Sequence, residues 1–95
     1  MTTSSTVTVE IIRQEIDATF YCDAATFDGK DRRQEAERWA RTTLTEQRAA
    51  TEYPDDLYAY FSDDLQGSFG EPDNRVGYAY LYHPAESIKW EDEAY

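Results

Sequence analysis

The stretch LYAYFSDDLQGSFGEPDNRVGYAYLYH, residues 57–83, decides the fold. Leu57, Ala59 and Phe61 alternate with Tyr58 and Tyr60. After the turn-rich residues 66–75, the segment Val76 to His83 alternates again, with Tyr78, Tyr80 and Tyr82 on one parity and Ala79 and Leu81 on the other. Period-two alternation bounded by Gly, Pro, Asp and Asn is the pattern of half-buried strands, and two such runs read as an antiparallel hairpin with a long loop. Successive side chains of a strand point to opposite faces. The pairing therefore gathers Tyr58, Tyr60, Tyr78, Tyr80 and Tyr82 on one face and the smaller apolar groups on the other.

Upstream of the hairpin the period changes. Between Lys30 and Ala50, the residues Ala36, Trp39, Ala40, Thr43 and Leu44 recur at the spacing of one helical stripe, with Asp28 or Asp31 placed to cap the first turn. Glu37 and Arg41 form an i, i+4 pair, and Arg32, Arg33, Arg38 and Arg48 are expected mostly on the solvent side. Pro54 disfavours helical backbone at Tyr53 and marks the exit. The element is an amphipathic helix that packs one stripe on a sheet.

The first segment alternates through Val7, Val9 and Ile11, then changes parity to Ile16, Ala18, Phe20 and Cys22. If both halves pack inward, a bulge or tight turn near Arg13, Gln14 and Glu15 is required. Two strands, or one kinked strand, satisfy this. A helix through Val9, Ile12, Ile16 and Phe20 competes, and the β-rich tract Thr6 to Val9 favours sheet. At the other end Pro84 stops the hairpin, Ile88 and Trp90 suggest a short strand or an arm over a sheet edge, and residues 92–95, like residues 1–5, are expected to fray. The expected fold is one α+β domain over residues 1–95: one amphipathic helix on a small antiparallel sheet, order β(β)αββ, with room for an extra C-terminal strand.

Charge is the second signal. The chain of 95 residues carries a net charge of −11. Residues 49–95 hold eleven acidic side chains against Arg75 and Lys89, whereas residues 30–48 are slightly basic. Such a surplus repels polyphosphate and anionic membrane and speeds association with a basic surface, which argues against direct nucleic-acid or membrane binding. Fourteen aromatic residues exceed what an acidic disordered chain carries, so the chain is expected to fold. The single Cys22 excludes an internal disulfide framework and is expected at a buried strand position in a reducing compartment. The first residues lack the basic and apolar regions of a secretory signal, and no apolar run approaches spanning length. A soluble cytoplasmic protein is expected.

No constellation in the sequence carries recognisable catalysis. His83 is the only histidine and Cys22 the only cysteine, so the chain offers one nucleophile–base pair that nothing in the sequence brings together. There is no glycine-rich phosphate loop, no two-histidine metal motif and no Gly-x-Ser-x-Gly turn. The stretch Asp63 to Asn74 has the length of a calcium loop, but Leu65 and Gly67 occupy positions that need oxygen donors and Asn74 replaces the closing Glu. The reading is a non-enzyme without cofactor or metal.

What remains is an acidic, tyrosine-bearing surface. Asp55, Asp56, Asp63, Asp64, Glu71 and Asp73 flank Tyr58, Tyr60 and Tyr80. In a regular strand the two Asp pairs stand about 26 Å apart at ~3.3 Å per residue. Spaced carboxylates over such a length can occupy a groove built for phosphates, and tyrosines between them supply rigid contact area. The expected function is a small acidic inhibitor that mimics nucleic acid and blocks the basic groove of a nuclease or defence complex, such as a restriction enzyme or CRISPR effector, as phage and mobile-element inhibitors do. The alternative is a self-assembling structural protein that pairs two copies through the tyrosine face, its acidity serving solubility. A high-salt cytoplasm is a further source of acidity.

Overall fold

In the computed structural model, residues 6–64 and 75–94 are described, with Asp64, Arg75, Val76, Glu93 and Ala94 placed by strand position alone. The chain runs β1 (Thr6–Gln14), β2 (Thr19–Asp28), α1 (Arg32–Ala49), a 3-10 turn (Pro54–Asp56), β3 (Leu57–Asp64), β4 (Arg75–Leu81) and β5 (Glu91–Ala94). The five strands form one antiparallel sheet in the order β2-β1-β3-β4-β5, with α1 packed against it. This is the expected α+β architecture, and the extra C-terminal strand is present.

The hairpin residues behave as their alternation requires. Tyr60 pairs with Tyr80 and Ser62 with Tyr78, while Ala59 pairs with Leu81 and Phe61 with Ala79. Leu57, Ala59, Phe61, Ala79 and Leu81 are buried with Val7, Val9 and Ile11 of β1 against Ala36, Ala40 and Leu44 of the helix. The two alanines on the buried stripe let the helix approach the sheet closely. Trp39 closes one flank against Phe27, with ring centroids 6.4 Å apart, and Trp90 stacks on Phe61 at 5.5 Å on the other. Partial burial of these rings at both margins adds to the hydrophobic stabilisation of the core.

The first segment is two strands joined by a tight turn where it was expected, but the apolar residues beyond the turn do not pack inward. Gln14 braces the turn from β1 to β2: its side chain donates to the carbonyls of Glu15 and Ala18 and accepts from the Thr19 hydroxyl. Ile16 sits at the tip of that turn and is 100% exposed. The bulge lies farther on. Ile11 pairs with Asp23 but Ile12 pairs with Tyr21, so Cys22 is the extra residue of β2. It is exposed, correcting the expected buried position. An unpaired bulge residue on an edge strand has no core to enter.

Residues 92–94, expected to fray, hold strand positions in β5 paired with β4; Tyr95 and residues 1–5 lie outside the described residues. The connection into β5 is anchored by Arg41, whose guanidinium donates to the carbonyls of Pro84 at 2.6 Å and Glu86 at 2.8 Å. Trp90 Nε1 donates to Glu37 at 2.9 Å. Glu37 and Arg41 therefore each reach the C-terminal segment, whereas the spacing alone had suggested that they bridge one another. No helix among the described residues is long and apolar enough to cross a membrane.

Candidate docking face

The helix covers one face of the sheet, and among the described residues no element covers the other. Alternation places Thr8, Glu10 and Ile12 of β1, Tyr21, Ala24 and Thr26 of β2, Tyr58, Tyr60 and Ser62 of β3, Tyr78 and Tyr80 of β4, and Glu91 of β5 on that open face. Tyr82 extends it past the end of β4. The rings form one connected layer: Tyr58 lies 6.2 Å from Tyr80 and 5.5 Å from Tyr82, Tyr60 lies 5.0 Å from Tyr80, and Tyr80 stacks on Tyr82 at 6.0 Å. Such offset aromatic packing adds stability beyond area burial and fixes the rings as a surface.

Within this layer the tyrosines play unequal parts. Tyr58, Tyr60 and Tyr78 are half-buried, whereas Tyr21, Tyr80 and Tyr82 are exposed. Ile12 stands between Tyr21 and Tyr58 in register and is only 6% exposed, although no element covers it. The neighbouring rings shield it. The Tyr58 hydroxyl is pushed above its ordinary pKa, first by desolvation, then by Tyr82, Tyr80, Tyr21 and Glu10, which all disfavour a phenolate there. The Tyr78 hydroxyl donates to Glu91 at 2.8 Å. No Lys or Arg occupies a described strand position on this face, and Lys89 comes near it only at the β5 margin, in a shallow depression shared with Tyr78, Tyr80 and Glu91.

The acidic residues singled out in the sequence separate into different environments. Asp63 is not on the candidate surface: it is fully buried on the helix side, where it accepts from Arg32 Nε at 2.9 Å, Arg32 Nη2 at 3.1 Å and Arg33 Nε at 2.6 Å. Strand parity puts Asp63 with Phe61 and Leu57, and the first helical turn supplies the two guanidinium groups that let a carboxylate exist there. Arg32 and Arg33 accordingly turn inward, correcting the expected solvent-side placement. Asp55 is exposed in the turn before β3, 3.6 Å from Arg48. Asp56 lines a shallow depression of about 600 Å³ with Glu15, Ile16, Asp17 and Tyr53 at that end of the sheet. Asp64 holds the position in β3 paired with Val76, while Glu71 and Asp73 lie outside the described residues. Tyr58, Tyr60 and Tyr80 lie together as expected.

Two contributors escaped the sequence reading. Glu10 and Tyr21 belong to strands whose register with β3 could not be read from alternation, and only the pairing of Glu10 with Tyr60 and of Ile12 with both Tyr21 and Tyr58 joins them to the hairpin tyrosines. No group of three or more His, Cys, Asp or Glu side chains among the described residues is arranged to hold a metal ion. Comparison of the chain with protein-family models, with curated proteins and with solved structures found no match.

Proposed function

We propose that this protein is a small acidic binding protein that docks its open tyrosine face onto the basic nucleic-acid-binding site of another protein and thereby excludes the nucleic acid. The observation that carries the reading is the composition of that face: a connected layer of tyrosines with Glu10 and Glu91 among them, and no basic residue at a described strand position. A large aromatic surface left open on a small sheet is the kind of patch that marks an interaction site. Its charge selects the partner.

The distribution of cations strengthens the electrostatic side. Arg32 and Arg33 are held by Asp63, Arg33 also by Asp92, Arg41 by two carbonyls, and Arg48 by the Pro54 carbonyl near Asp55. Arg32, Arg33, Arg41 and Arg48 are thus committed to holding the helix, the turn before β3 and the C-terminal arm, while Asp55 and Asp17 are exposed and Glu10 lies on the open face. Carboxylates at the rim raise the rate of encounter with a basic groove, and the tyrosines hold the complex once formed.

The test is affinity capture of the tagged protein's partner from its native host at low salt, followed by competition between this protein and the captured protein's own DNA or RNA. Displacement of that nucleic acid, steeply weakened by salt and abolished by combined Tyr58, Tyr60 and Tyr80 substitution to Ser, is the expected result. A salt-insensitive complex of the chain with itself overturns the reading in favour of self-assembly through the tyrosine face.

A further inference from the structure

Among the described side chains of the open face, Glu10 is the acidic one set among the half-buried rings, Glu91 lying at the β5 margin. Its register partners are Tyr60 on β3 and Ala24 on β2. Among the described residues it makes no hydrogen bond and no ion pair, although it is itself half-buried. Because Ala24 is small, the sheet surface beside Glu10 sinks into a shallow depression of about 540 Å³, lined by Glu10, Tyr21, Cys22, Asp23 and Ala24. The Asp23 carboxylate is turned onto its own strand, accepting from the Ala24 N–H at 2.8 Å.

A carboxylate held among rings loses part of its hydration, and no ion pair or hydrogen bond among the described residues answers its charge. We infer that the Glu10 depression receives an arginine side chain of the protein partner, the guanidinium pairing with the Glu10 carboxylate and lying against the ring of Tyr21. The inference rests on the docking function proposed above and names the group that the tyrosine face recognises. Charge complementarity requires a cation. The aromatic wall selects among cations, because a guanidinium is planar, weakly hydrated and able to stack on a ring while donating in a fork to a carboxylate, whereas an ammonium is compact and strongly hydrated. Glu10 and Tyr21 line the same depression, so one bound side chain can meet both the carboxylate and the ring.

The experiment is a titration of the full chain, observed by amide chemical shifts, with an oligo-arginine and an oligo-lysine peptide of equal length. The expected result is a set of shifts centred on Glu10, Tyr21 and Ala24 and tighter binding of the arginine peptide. Glu10→Gln should weaken that binding about tenfold, the loss of one charge-assisted hydrogen-bonded pair, while Glu46→Gln on the helix removes the same charge with little effect. Ala24→Leu, which keeps every charge and fills the depression, should also weaken it; the amide spectrum of each variant shows directly that it is folded. If both peptides bind alike and Glu10→Gln weakens binding no more than Glu46→Gln, the Glu10 anchor is overturned while an acidic docking surface stands. If neither peptide moves the resonances of the tyrosine face, the anchor and the docking reading fall together.

Discussion

Arg33 donates from Nε to Asp63 at 2.6 Å and from Nη2 to Asp92 at 2.6 Å, so one side chain in the first turn of α1 ties β3 to β5 across β4. Its guanidinium also lies over the Trp90 ring, 4.4 Å from the centroid. Partial burial opposes the Arg33 charge, but hydrogen bonds to Asp92 and Asp63 outweigh it and hold the group above its ordinary pKa. Two cations at a helix N-terminus oppose the helix dipole, and the buried carboxylate offsets that. Removing Asp63 leaves Arg32 without a carboxylate partner and Arg33 with Asp92 alone. Asp63→Ala should therefore destabilise the fold by about 3 kcal/mol, as expected for breaking a buried pair from one side. Urea denaturation measures it, and an unchanged midpoint would remove the network from any account of stability.

Gly77 makes room for that network. A Cβ there would stand 2.5 Å from Arg33 Nη2, 2.6 Å from Asp92 Oδ1 and 3.2 Å from the Asp63 Cβ. Gly77→Ala must push the Arg33–Asp92 pair apart or shift β5, at a cost of about 1–3 kcal/mol for overpacking. The loss should be local. Amide exchange in residues 91–94 should accelerate more than in β1, and uniform acceleration would show that β5 is not a separately detachable edge.

The hairpin and helix were legible because each reports its own period. Leu57, Ala59 and Phe61 against Tyr58 and Tyr60 fix both faces of β3, and Ala36, Ala40 and Leu44 fix the buried stripe of α1. The Asp63 cluster was not legible, because its members are separated by some thirty residues and their polar character argues for solvent until all of them are placed together. Ile16 and Cys22 misled in the opposite direction. Their apolar character suggested burial, but a turn tip and a bulge on an edge strand offer nothing to bury against. The open tyrosine face was half legible: its β3 and β4 rings follow from alternation, whereas Glu10 and Ile12 join it only through the β1–β3 register, and Tyr21 only through a β1–β2 register that the bulge at Cys22 resets.

The Tyr58 hydroxyl should lose its proton above the ordinary tyrosine value of about 10. Desolvation, and then the neighbouring Tyr82, Tyr80, Tyr21 and Glu10, penalise its anion. In the unfolded chain that penalty is absent, so the folded state holds the proton more tightly. This contribution to stability is fully present below the unfolded value and is lost as pH rises from there through the higher folded value. An alkaline titration followed by tyrosinate absorbance should show a late component that Tyr58→Phe removes. If the titration curve of Tyr58→Phe differed only in amplitude, without loss of its most alkaline part, the ring layer would not desolvate that hydroxyl.

Substitutions on the two faces of β3 and β4 should have separable consequences. Phe61 is fully buried and stacked on Trp90, so Phe61→Ala should cost about 3–5 kcal/mol and abolish docking only by unfolding the protein. Tyr82 is 57% exposed at the far end of the ring layer and packs on Tyr58 and Tyr80, so Tyr82→Ser should cost about 1 kcal/mol, well short of unfolding the protein. The same reasoning governs charge. Reversal at buried Asp63 reports on folding, while Asp55→Lys, at a side chain that is 96% exposed, reports on encounter with a basic partner. Binding kinetics should separate the two surface variants: Asp55→Lys lowers the association rate in a salt-dependent way, and Tyr82→Ser raises the dissociation rate at every salt concentration. If Tyr82→Ser and Asp55→Lys both left the kinetics of a captured partner unchanged, that partner would be bound through the helix side or an edge of the sheet, not through the tyrosine layer.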